Sequence, residues 1–227
     1  MFLEKEIVFV HFRHMNRKDE QDDWENDKEI MKLRKEKAAH EQKITDSIAV
    51  VKEALNAKET IEKEPSSFFL YSSIPRAFVN ASYLGEWNGK KVYFGSFEYH
   101  TSVTAGRVRS EGRDAYFFGV ISLKEAYPHI VIKPELLALK IEDLFTKMDV
   151  DFKHARLFSF LYYVITKDKN TLEFKFRSKE LNRIARFLNA EIEFIGYECF
   201  FRVNRKAISL KEAERFVKLA KVLAEVF

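Results

Sequence analysis

Cysteine occurs once in 227 residues, which excludes an intramolecular disulfide and any zinc site built on cysteine pairs. That cysteine, Cys199, lies in the run Glu198-Cys199-Phe200-Phe201, the setting of a buried, inert thiol rather than of a nucleophile. Long apolar runs are missing as well. The stretch Ile7 to Val10 follows Glu4, Lys5 and Glu6 and precedes His11 and Arg13, so it is too short and too charged at its flanks for a signal-peptide core or a membrane span. The expectation is a soluble, cytoplasmic chain without a transmembrane segment. Glycine is sparse, at 7 residues, and neither Gly85-x-x-x-Gly89 nor Gly106 to Gly112 has the strand-to-helix context of a phosphate-cradling loop. No G-x-S-x-G elbow occurs, and no cofactor is expected.

Aromatic and charged residues are abundant. With 22 Phe and 46% hydrophobic composition, the chain can form one sizeable domain with an appendage, or two small packed lobes. The net charge of +4 conceals an asymmetry: residues 1–64 hold 13 Lys and Arg against 16 Asp and Glu, a net of −3, so the Phe-rich remainder carries +7. Aromatic surface covered with positive charge is first a core-building signature and second a base-stacking one.

Asn26 to Glu64 lacks Gly and Pro and is dense in Lys, Glu and Ala, which predicts one long helix or two in series. Ile44, Ile48, Val51 and Leu55 recur at helical spacing and form a narrow stripe, suited either to packing on the chain's own domain or to self-association with a second copy. Pro65-Ser66-Ser67 ends this pattern, placing a boundary between a segment 1–64 and a domain 65–227, the latter divisible into lobes 65–149 and 150–227. Strands are predicted over Phe78 to Trp87 and Val92 to Thr101, joined through Asn88-Gly89, a strong hairpin signal. A loop containing Gly106, Gly112 and three arginines follows. Ala115 to Leu123 and His129 to Ile132 read as strands, and Leu136 to Met148 as an amphipathic helix. The apolar run Ala155 to Ile165 suits a strand buried on both faces, and Thr171 to Phe176 a further extended piece. Ser178 is the expected cap of a helix bearing Leu181, Ile184, Phe187 and Leu188. Ala190 to Ile195 and Glu198 to Val203 flank Gly196-Tyr197, the sequence of a type II′ hairpin. Ser209 with Glu212 then forms a capping box ahead of Leu210, Ala213, Phe216, Val217, Ala220, Leu223 and Phe227. Hairpins grouped between helices define an α+β fold with mainly antiparallel sheet.

The stretch Leu84-Gly85-Glu86-Trp87-Asn88-Gly89-Lys90-Lys91-Val92, with Phe97-Glu98-Tyr99, resembles the pattern of an uncharacterised prokaryotic domain: glycine, aromatic, glycine, basic residue, valine, then an acidic residue before tyrosine. Asp151-Phe152, the Phe/Tyr-rich run and the terminal helix resemble its second half, for coverage of about residues 78–227. Members are often preceded by membrane helices, whereas a charged helix stands in that place here. The resemblance implies no activity.

Candidate sites are few. His11 and His14 are three apart in a stretch that reads as extended, where such positions face opposite ways, so no metal site is expected. His100, His129 and His154 read as structural histidines among aromatic strands. Asp151-Phe152-Lys153 and Glu173-Phe174-Lys175 match the acid-x-Lys element of Mg²⁺-dependent nucleases, an element that also arises often from this composition. Arg107, Arg109 and Arg113 form the best exposed anion-binding candidate, able to straddle phosphates from a hairpin. Two functions follow. The first is a non-catalytic binding or assembly module, with a protein partner or a second copy engaged through Ile44, Ile48, Val51 and Leu55. The second is a nucleic-acid-binding protein or metal-dependent nuclease using the basic lobe.

Overall fold

The computed structural model describes residues 31–32, 34–61, 65–74, 78–105, 108–135, 150, 152–168, 175–203 and 207–227, without the side chains of 78 and 99–114. The chain divides into two compact units, Met1–Lys43 and Ile44–Phe227. In the first, residues 34–43 are helical and exposed, with a Lys37–Glu41 pair one turn apart at 3.8 Å. All that follows concerns the second unit.

Helix α1 comprises residues 44–54 of this unit. Its stripe faces inward: Val51 and Leu55 are wholly buried, and Ile44 and Ile48 pack against the same core. The expected boundary at Pro65 therefore separates residues that share one core. Asn56 ends the helix at a φ of 47°, the left-handed conformation that Asn tolerates and helix ends use. The chain then seats itself on Gly85, where the Glu86 N–H donates to the Leu55 carbonyl at 3.1 Å. A Cβ at position 85 would stand 2.5 Å from that oxygen, so the first glycine of the Gly85/Gly89 pair serves close approach of backbone.

After the two-residue strand β1 (Lys58–Glu59) and a short helix α2 (Phe69–Ser72), an antiparallel sheet forms from β2 (Phe78–Trp87), β3 (Lys90–Ala105), β4 (Val108–Pro134), β5 (Tyr162–Thr166) and β6 (Ala190–Val203). The Asn88-Gly89 hairpin is realised: Trp87 pairs with Lys90, and both turn residues have positive φ, 53° and 70°, as a type I′ turn requires.

β6 folds back on itself at Gly196-Tyr197. Arg202 and Glu191, 11 residues apart, form a hydrogen-bonded ion pair, whereas a straight strand would hold them about 36 Å apart. The two residues are equidistant from the turn, Gly196 has a φ of 56°, and Tyr197 is exposed at the tip. β4 wraps around that tip. Its residues 119–122 run antiparallel to 201–198 and its residues 130–132 antiparallel to 194–192, with register shifts between Ser122 and Ile130. β3 flanks the first arm of β4 and β5 the second. Across the sheet the order is thus β1, β2, β3, first arm of β4, second arm of β6, first arm of β6, second arm of β4, β5.

The two sheet faces bury different cores. One face carries Val92, Phe94, Phe117, Ile121, Ile192, Phe194 and Phe201 beneath α1 and the terminal helix α5 (Leu210–Val226). Helices α3 (Arg156–Leu161) and α4 (Ser178–Ile184) add Phe158, Leu181 and Ile184 to it. The other face carries Phe97, Phe118, Val120, Val131, Ile165 and Phe200 beneath α2, which contributes Leu70 and Tyr71. Ser209 caps α5 as its sequence predicts, accepting from the Glu212 N–H at 3.3 Å.

Three local expectations are corrected. The run Ala155 to Ile165 is a strand only from Tyr162. Arg156–Leu161 is helical, with Phe158 buried while Leu157 and Phe160 face solvent; an apolar run of this length has no periodicity that separates strand from helix. The cap of α4 is Arg177, whose N–H donates to Glu180 at 2.8 Å, because the Ser178 hydroxyl is used on the His154 carbonyl. Gly112, Arg109 and Arg113 belong to β4 rather than to a loop: Arg109 pairs with Thr104, Gly112 with Thr101 and Arg113 with His100. The β-branched Thr101, Val103, Thr104 and Val108 favour extending that hairpin. The expected helix Leu136 to Met148 lies outside the described residues.

Candidate functional site: an apolar groove beside a buried carboxylate

α2 begins where Glu193 is buried. The side chain of Glu193 is wholly enclosed, on the first arm of β6 opposite Val131. Its Oε1 accepts the Phe69 N–H at 2.9 Å and its Oε2 the Leu70 N–H at 2.7 Å, satisfying donors that a helix start leaves without partners. His129, at the foot of the second arm of β4, meets Oε1 through Nε2 at 2.7 Å. A buried carboxylate needs such donors, and here they fix α2 and the imidazole in place together.

Beside this cluster the described residues form a groove of about 390 Å³, lined by Phe69, Pro128, His129, Val131, Ile165, Thr166, Lys167 and Asp168. Its floor is apolar, from Val131 and Ile165 of the smaller core. Phe69, half out in solvent, forms one wall, with the Lys133 ammonium 4.8 Å from its ring centre on the sheet. The Thr166 hydroxyl is committed to backbone: it donates to the His129 carbonyl at 3.0 Å and accepts from the Asp168 N–H at 3.2 Å.

Sequence-predicted residues are elsewhere. Ile44, Ile48, Val51 and Leu55 pack into the larger core. Arg107, Asp151 and Glu173 lie outside the described residues, and Arg109 and Arg113 are placed by backbone alone. Lys153 is exposed beside α3. Lys175 donates to the Ala126 carbonyl at 2.6 Å, approaches Glu125 at 3.6 Å and lies 4.4 Å from the ring centre of Tyr127, so it secures the bend of β4. His154 meets the Phe176 carbonyl at 3.0 Å. Among the described residues no group of three His, Cys, Asp or Glu side chains gathers as metal ligands. Cys199 is fully buried, and burial followed by the nearby Glu193 pushes its thiol well above the ordinary range. No helix among the described residues is long and apolar enough to cross a membrane.

Glu193 and His129 were missed as a pair because they are 64 residues apart. The available signal was an acidic residue in the apolar run Ile192 to Ile195: a charge on the core side of a strand requires partners.

No family model matches the chain, and no curated protein does. Among solved structures, the crystal structure of the mycobacterial trehalose monomycolate transport factor A aligns over 78% of this chain and 93% of that one, at 9% identity and a TM-score of 0.43.

Proposed function

We propose that the unit Ile44–Phe227 is a non-catalytic binding module whose groove beside α2 takes the apolar part of a small ligand. The observation that carries this reading is the groove itself, whose 390 Å³ volume and floor of Val131 and Ile165 match the usual dimensions and lining of a small-molecule site. The groove is prearranged, because Glu193 ties α2 to the sheet. Its chemistry is that of holding: Thr166 is engaged with backbone on both sides, and His129 is anchored through Nε2. The test is saturable fluorescence enhancement of anilinonaphthalene sulfonate, competed by octanol. Phe69→Ala removes one wall and weakens binding, whereas Trp87→Phe, remote from the groove, leaves it unchanged. Absence of saturable binding, or an unchanged Phe69→Ala variant, would falsify the reading.

A further inference from the structure

A second surface lies at the other end of β5. Leu157 and Phe160 of α3 are 56% and 77% exposed, three positions apart on a helix that also contributes Phe158 to the core. Positions 156 and 160 are four apart and positions 157 and 160 three apart, the spacings of neighbours on a helix surface, so Phe160 lies between Arg156 and Leu157. Beside Arg156 and Phe160 is an open depression of about 500 Å³, to which the described residues contribute Lys153, Arg156, Ser159 and Phe160. The Ser159 hydroxyl is held by the backbone of Phe152, accepting its N–H at 2.9 Å, so the floor is fixed. The walls that these residues supply thus carry two cations and one aromatic ring.

We infer that this depression docks an acidic peptide segment of a protein partner, one that alternates carboxylates with apolar side chains. Charge complementarity selects the sign of the partner: Lys153 and Arg156 face carboxylates, and Arg can do so through two parallel hydrogen bonds. The exposed Phe160 supplies apolar area that leaves water on docking, Leu157 extends that area outside the depression, and Arg with an aromatic neighbour is a frequent source of binding energy at interfaces. The extent of the surface decides between peptide and bilayer. α3 has six residues and turns Phe158 into the core, so it offers two exposed apolar side chains, whereas a helix that lies in a lipid surface buries a long apolar face there.

The test uses the full chain and a labelled peptide of alternating Glu and Leu, with a Lys/Leu peptide and phosphatidylglycerol vesicles as parallel arms, read by fluorescence anisotropy and co-sedimentation. The Glu/Leu peptide binds, the Lys/Leu peptide does not, and binding weakens as salt rises. Phe160→Ser and the double change Lys153→Glu, Arg156→Glu each weaken it by roughly tenfold or more, while dye binding in the groove beside α2 stays at the wild-type level. All these side chains are on the surface, and circular dichroism melting verifies that the variants fold. Equal binding of the two peptides, unchanged affinity in the variants, or sedimentation with vesicles without peptide binding would overturn the inference. Loss of groove binding alone leaves it standing.

Discussion

His129 Nε2 and Glu193 Oε1 are 2.7 Å apart, joining a half-exposed imidazole to a carboxylate with no solvent access. The same carboxylate holds the first N–H groups of α2, so one buried charge couples the second arm of β4, the first arm of β6 and the helix that walls the groove.

Glu193→Ala is accordingly expected to cost about 2–4 kcal/mol, since hydrogen bonds to a charged group are strong and two backbone donors would be left buried. Urea unfolding measures the loss. His129→Ala is expected to cost less, because its ring is half-exposed and the carboxylate keeps two donors. Equal losses in the two variants would show that the carboxylate is not the principal tie.

The seating of α1 predicts where the unit can be cut. A fragment beginning at Ile44 should melt cooperatively, whereas one beginning at Ser66 should not, because it lacks Val51 and Leu55, both wholly buried. In the intact chain Leu55→Ala should cost about 2–5 kcal/mol, the range for emptying a buried leucine site. A cooperative melt of the shorter fragment at the full-length midpoint would contradict the packing described.

Gly119 gives a test of the wrapped sheet. It pairs with Phe201 across the strands, and a Cβ there would overlap the Phe201 ring and stand 3.0 Å from Cζ of Phe216. Gly119→Ala should therefore destabilise by about 1–3 kcal/mol through overpacking, although alanine normally favours a strand over glycine. A neutral or stabilising effect in thermal melts would mean that Phe201 is not held against α5.

Two tyrosines contribute to the loss of stability at alkaline pH, alongside the buried Cys199 thiol. Burial pushes Tyr127 up to about 12, aided by Glu125, Glu180 and Cys199. Burial likewise pushes Tyr162 up to about 12, against smaller opposing effects of the Ala190 N–H and Arg215. The ordinary value is 10.0, so the unfolded chain releases these protons first. Their contribution to stability is present in full below pH 10 and is lost as pH rises through about 12. Absorbance of tyrosinate followed with circular dichroism should show these two rings ionising only as the fold is lost. Free titration of all 9 tyrosines near pH 10 in folded protein would contradict their burial.

Local signals carried much of the fold. Asn88-Gly89, Gly196-Tyr197 and the Ser209/Glu212 cap each specify backbone geometry within a few residues, so they were legible without tertiary knowledge. The α+β class followed from the grouping of the hairpins. The apolar run through Phe158 was not legible, since burial of every second residue and of one helix face look alike over so few positions. Nor was the destination of the α1 stripe, because a helix meeting its own sheet and one meeting a second copy need the same spacing. The groove was least legible. Phe69, His129, Val131, Ile165 and Glu193 come from separate elements, and only the wrapping of β4 around β6 brings them together.

Amide chemical shifts test the central claim most directly. On titration with octanol, the groove account predicts saturable shifts of the Val131, Ile165 and Thr166 amides, and of the Phe69 and Leu70 amides bound to Glu193, with the hairpin at Asn88-Gly89 unmoved. Shifts that do not saturate, or that centre on residues outside the groove, would contradict it.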